Sequence, residues 1–206
     1  MERARWNGSV WASVGMGSGN GVNGAVRALA LSGEELYVGG KFSQAGGIPA
    51  NNVARWDGTG WSSLGSGNSN GVTGDVFALA LSGSDLYVGG ELTKAGGLPA
   101  NYVVRWNGNV WSSLGSGSSN RQFDAVYALA VSGTDLYAGG SFVQAGGVPA
   151  HNIARWNGSV WSGVGPPGSN LTQGISWVRA LATSGNELYV GGWFYGAGGR
   201  CQASLR

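Results

Sequence analysis

DLYVGGELTKAGGLPANYVVRWNGNVWSSLG, residues 85–115, recurs at residues 35–65 and 135–165. Its head returns at 187–199 and its tail at 5–15. A fixed internal period decides the architecture before any single motif is read. Arg-Trp pairs fall at 5–6, 55–56, 105–106 and 155–156, a spacing of 50 each time. Residues 25–65 and 75–115 match at 27 of 41 positions, close enough to require one structural unit stacked on copies of itself. Each unit holds four short apolar runs: ALAL, LYVGG, VARW and WSSLG in the first. Gly-rich turns separate them, and the Asn-Gly and Asp-Gly pairs before the fourth run tolerate the positive φ of a tight hairpin. No stretch carries a helical period. The expectation is an all-β chain, residues 1–206 forming a single repeat domain of four-stranded sheets.

Composition agrees. Of 206 residues, 42% are hydrophobic and only 11% charged, with 41 Gly and 10 Trp, which suits many short strands joined by tight turns. The net charge of +2 and the dispersed Arg residues give no basic patch for nucleic acid. No apolar run has the length of a membrane span, so no membrane insertion is expected. Cys201 is the single cysteine and His151 the single histidine. They cannot assemble a Cys/His metal centre, so no cofactor is expected. Gly19–Gly24 fits a dinucleotide G-x-G-x-x-G by letter but leads into a strand, so the helix N-terminus that binds phosphate is missing.

The order strand, LYVGG, loop, aromatic-ended strand, turn, W-x-x-L resembles the blade of kelch-type β-propellers. Gly39-Gly40, Gly89-Gly90, Gly139-Gly140 and Gly191-Gly192 fill its Gly-Gly place. Trp11, Trp61, Trp111 and Trp161 fill its Trp place. The repeat is more similar still to a bacterial surface-protein repeat, LYVGGxFxxAGGxPAxNIARWDGxxWSxLG, and to the propellers of fungal polarity proteins. That resemblance implies a propeller, and an extracellular or cell-surface location. It says little of function, because propellers host many roles. Complete blades are expected at about 25–65, 75–115 and 125–165. A composite blade would form from residues 4–17 and 178–199. One chain closing as four blades and two chains exchanging ends into an eight-bladed homodimer both fit. The larger blade number of kelch relatives favours the second.

Each unit places an acid before Leu-Tyr (Glu35, Asp85, Asp135, Glu187) and an Arg before Trp (Arg55, Arg105, Arg155, with Arg5 for the composite blade). With 35 opposite 55, 37 opposite 53 and 39 opposite 51, each acid would face an Arg across antiparallel strands as a structural ion pair. Arg5 would meet Glu187. The repeated Trp residues are expected between blades. Loops 44–52 and 66–75, with their copies, are expected on one propeller face, bearing Asn52, Asn70, Asn120, Asn170, Tyr102 and His151. Asn side chains there both donate and accept, which suits a glycan or protein ligand, although Asn is also an ordinary turn former. Arg121, Trp177, Trp193 and Tyr195 depart from the repeat and are further binding candidates. Asp75 and Asp124 are the acids left for a hydrolase, a weaker expectation than a non-catalytic binding module or a self-assembling scaffold.

Overall fold

The computed structural model describes residues 4–6, 8–14, 21–67, 70–115, 125–165 and 177–193, with the side chains of residues 4 and 5 excepted. The described chain is all-β. Three four-stranded antiparallel sheets have the propeller-blade meander, each strand pairing with the next in the chain. The first blade comprises Ala25–Ser32, Glu35–Lys41, Val53–Trp56 and Trp61–Ser63. The second comprises Val76–Ser82, Asp85–Gly90, Val103–Trp106 and Trp111–Ser113. The third comprises Val126–Ser132, Asp135–Gly140, Ile153–Trp156 and Trp161–Gly163. A two-stranded sheet stands at either end of the chain: Ala4–Trp6 with Trp11–Ser13, and Trp177–Ser184 with Glu187–Trp193. Among the described residues no strand pairing joins these two hairpins.

Blades stack face to face, and first strands of successive blades pack against one another. This makes the first strand the inner strand of each blade. Glycines near the end of each blade's second strand permit the approach. A Cβ on Gly39 would lie 2.5 Å from Val76 Cγ1, and one on Gly89 would lie 2.8 Å from Val126 Cγ1 of the following blade. The core between the first two blades joins Tyr37, Val53 and Leu64 to Val76, Val88, Leu92 and Val104. The next joins Tyr87, Val103 and Leu114 to Val126, Leu136, Phe142 and Trp161. Trp111 and Trp161 are buried here, and their indole N–H groups donate to the carbonyls of Leu64 (2.9 Å) and Leu114 (2.7 Å) in the blade before. Trp61 has the same place, but its buried indole N–H has no acceptor among the described residues.

The second and third strands pair in a register two residues away from the sequence expectation. Tyr37 lies opposite Arg55 and Gly39 opposite Val53, so 35 does not face 55. The cause is the connection. Asn52 adopts φ 63°, outside strand geometry, its carbonyl accepts the Gly40 N–H, and the Asn51 carbonyl turns away to accept the Val72 N–H. The third strand therefore begins at Val53, two residues later. The same shift appears as Tyr87 opposite Arg105 and Tyr137 opposite Arg155.

Candidate functional site

The long connection between second and third strands is more ordered than its Gly and Pro content suggests. In the first blade Gln44–Ala45 pairs with Ile48–Pro49 as a small hairpin turning at Gly46-Gly47. Lys94–Ala95 with Leu98–Pro99, and Gln144–Ala145 with Val148–Pro149, repeat it. Gly46 has φ 59°, and a Cβ on it would lie 2.6 Å from the Trp61 indole. Each hairpin is thus pressed onto the Trp of its own blade, where a side chain would intrude. The outer arm of each hairpin is exposed: Ile48-Pro49, Leu98-Pro99 and Val148-Pro149. The repeat therefore displays three aliphatic-proline knobs at equivalent places, beside Gln44, Lys94 and Gln144.

The two loop families expected to cluster do meet. The Asn51 amide donates to the Asn70 carbonyl (3.0 Å), and the Asn70 amide donates to the Pro49 carbonyl (2.7 Å). Asn70 is buried, and its side-chain oxygen accepts the Asn51 N–H. Asn52 is used in the same way: its oxygen accepts the Phe42 N–H and its amide donates to the Val72 carbonyl. The buried Asn152 amide donates to the Gly140 carbonyl. These amides secure the loops to the blades. Tyr102 (φ 56°) and His151 (φ 37°) hold left-handed backbone that favours Gly or Asn. Tyr102 also lines a cavity of about 40 Å³ between the second and third blades, with Val126, Ala138, Phe142, Ala154 and Trp161. Ala138 and Ala154 stand there where the second blade has Val88 and Val104. Trp177 and Trp193 lie opposite each other on the C-terminal hairpin and are exposed. Asn120, Asn170, Arg121, Tyr195 and Asp124 fall outside the described residues.

The acid–Arg pairs form in all three blades. Arg55 Nη1 lies 2.9 Å from Glu35 Oε1, Arg105 Nε 2.8 Å from Asp85 Oδ2, and Arg155 Nε 2.7 Å from Asp135 Oδ2. They reach along the diagonal of the actual register, within range of a long side chain. The hydrogen bond to Asp135 holds the Arg155 pKa above its ordinary value. Burial, with the adjacent acid, raises the hydroxyl pKa of Tyr37 and Tyr87. The pairs are partly exposed, so each contributes about 0–1 kcal/mol. Glu187 accepts the Tyr189 hydroxyl, which raises the tyrosine pKa. The expected contact of Glu187 with Arg5 falls outside the described side chains. Asp75 is bound by two cations, Arg27 Nη2 at 3.2 Å and Lys41 Nζ at 3.4 Å. Among the described residues no three His, Cys, Asp or Glu side chains gather as metal ligands, and no helix is long and apolar enough to cross a membrane.

These features define an all-β repeat module built of propeller-type blades. No protein-family model matches the chain, and no curated protein sequence does. Among solved structures it is similar to one described as YCF48 bound to D1 peptide, at 13% identity and a TM-score of 0.46 over 89% of this chain. The chain spans 50% of the length of that structure.

Proposed function

We propose that this chain is a non-catalytic binding module of the cell surface, which contacts protein partners through the row of hairpin tips at Ile48, Leu98 and Val148. The observation that carries this reading is the division of labour in the loops. Asn52, Asn70 and Asn152 bond inward to backbone groups, while the exposed arms offer aliphatic and proline groups beside long polar side chains. Apolar surface that recurs at one place per blade suits a partner that touches several blades together, gaining avidity if it can span them. The test replaces the knobs together, Ile48→Ser, Leu98→Ser and Val148→Ser, and compares capture from a surface-protein fraction. Binding lost with Tm unchanged supports the reading. Equal capture by both proteins refutes it.

A glycan ligand is the second reading. Tyr102 and His151 support it, because unusual backbone retained in a loop is a mark of binding positions. Glycan-array binding that survives replacement of the knobs and fails in Tyr102→Asn would favour sugars.

The same proposal includes a ring of two chains, eight blades in all, in which the C-terminal hairpin 177–193 of one copy completes a blade with the N-terminal hairpin of the other. Both ends leave uncovered the surfaces that internal blades bury. Tyr37 and Tyr87 are 8% and 9% exposed, whereas Tyr189 at the same position is 54% exposed. Leu29 and Leu31 are 59% and 70% exposed, while their counterparts Leu79 and Leu81 pack on the core between the first two blades. The unpartnered Trp61 N–H has Val14 as the repeat-equivalent of the acceptors Leu64 and Leu114. A properly seated N-terminal hairpin would supply that carbonyl. Light scattering tests the ring: twice the 20.9 kDa chain mass is expected, and a single-chain mass at all concentrations refutes the dimer.

A further inference from the structure

Each inner strand carries a one-residue bulge at the same place. Register shifts between Val26 and Ala28, Val76 and Ala78, Val126 and Ala128, and Val178 and Ala180. The bulge takes Arg27, Phe77, Tyr127 and Arg179 out of the ladder, a device that redirects a side chain. The four side chains touch in series from blade to blade. The Arg27 guanidinium lies 5.2 Å from the Phe77 ring centroid, and the Phe77 and Tyr127 centroids are 5.4 Å apart. Arg179 lies 4.1 Å from the Tyr127 centroid and 5.4 Å from that of Trp177. The inner rim is therefore a line of cation, aromatic, aromatic and cation.

The two arginines differ in their counter-charge. Arg27 takes its carboxylate from Asp75, which opens the inner region of the following blade. Asp75 occupies the position that Ala25 and Ala125 occupy in the first and third blades. Arg179 has no carboxylate partner among the described residues. In the ring proposed above, on which this inference rests, the blade after Arg179 is the first blade of the other copy. It brings Ala25 where an acid is needed, and Arg27 as the next rung. Lys41 stands nearby through Asp75, while Glu91, at Lys41's position, belongs one blade further from the seam. Two guanidiniums braced on aromatic rings then meet with Lys41, and among the described residues Asp75 is the carboxylate set against them.

We infer that each seam of the ring is a binding site for a small oxyanion, a phosphate, sulfate or sugar-borne carboxylate, held between Arg179 of one copy and Arg27 of the other. Guanidinium edges suit such an anion because they donate in a planar fork; stacking on Tyr127 and Trp177 leaves the edge of Arg179 open to it, while Arg27, stacked on Phe77, gives one nitrogen to Asp75 and would share the others with the anion. The anion removes the like-charge repulsion that otherwise opposes closure, so assembly depends on it.

The full chain is examined by light scattering and thermal unfolding in chloride, inorganic phosphate and glucuronate at matched ionic strength. Phosphate at about ten times its Kd should move association to lower concentration by about tenfold for each site filled. Arg179→Gln should abolish this response. Arg179→Phe, which restores the aromatic of the internal blades, should dimerise in chloride with no phosphate response. Response to glucuronate without phosphate assigns the site to a sugar acid, and the reverse assigns it to a free inorganic anion. A dimer in chloride that gains nothing from any anion, or a phosphate response retained by Arg179→Gln, overturns the site while leaving the ring intact. Arg179→Phe remaining a folded monomer in every buffer overturns the ring, and the site with it.

Discussion

Gly191→Ala separates a closed ring from an open array. Gly39, Gly89, Gly139 and Gly191 share one repeat position. At the first three an added Cβ would lie 2.5, 2.8 and 2.4 Å from a Val methyl of the next blade. At Gly191 it meets only Ala180 among the described residues, the Cβ at 3.5 Å and the carbonyl oxygen at 4.0 Å, which are ordinary contacts. Forcing a methyl into a packed interface costs about 1–3 kcal/mol. A domain of this size then loses roughly 2–4 °C of Tm per kcal/mol, so Gly89→Ala should unfold about 2–12 °C below the parent. In a ring, Gly191 faces Val26 and Leu29 of the other copy and meets the same obstruction. Gly191→Ala should then fall by a similar amount and weaken dimerisation, with a Tm that depends on protein concentration. In an open array the added methyl has space, and the reduced freedom of the unfolded chain would stabilise by about 0.4–1 kcal/mol. The assay is thermal unfolding of both variants across a dilution series. Gly191→Ala at or above the parental Tm, with Gly89→Ala clearly below it, would refute closure.

Trp111→Phe removes the indole donor while the Leu64 carbonyl keeps the Gly71 N–H, so a loss of about 0.5–1.5 kcal/mol for one hydrogen bond is expected by urea unfolding. Asn70→Ala should lose about 1–3 kcal/mol, since the Pro49 carbonyl and Asn51 N–H both lose their partner, and should leave ligand capture by the intact hairpin tips unchanged. The Asp57 carboxyl is pushed down to about 2 by hydrogen bonds from the Gly60 N–H, the Thr59 hydroxyl and the Thr59 N–H. Its folded pKa lies below the unfolded one, so its contribution is whole above about pH 4 and is lost as pH falls through about 2. Asp57→Asn should keep the turn, as Asn107 and Asn157 do in the other blades, and flatten the Tm profile between those limits.

Much of the architecture was legible because it is written several times. The four apolar runs became four strands per blade, and the Arg before Trp found the acid before Leu-Tyr even though the register differed by two. That difference hinged on Asn52, whose left-handed backbone is invisible in a string that also suits an extended strand. The site was less legible. Asn70 has the composition of a polar surface loop, yet folding turns it inward to satisfy Pro49 and Asn51. Ile48, Leu98 and Val148 looked like ordinary strand or loop residues because the Gly-Gly turn that exposes them forms only when Trp61, Trp111 and Trp161 lie beneath it. The rim residues Arg27, Phe77, Tyr127 and Arg179 carried a signal of a different kind. They change chemistry at a position whose neighbours stay constant, but alternation alone does not reveal a bulge.

The indole bond from each internal blade to its predecessor spans 47 residues in both instances. The second and third blades are therefore each clasped by a contact defined relative to the neighbouring blade and to no landmark in the chain. A crossover between repeats in the gene, removing or adding one whole unit in phase, would reconnect matched surfaces and leave the remaining clasps undisturbed. In the proposed ring the circumference would then be free to change by whole blades over evolutionary time, while the seam between copies would keep its two arginines.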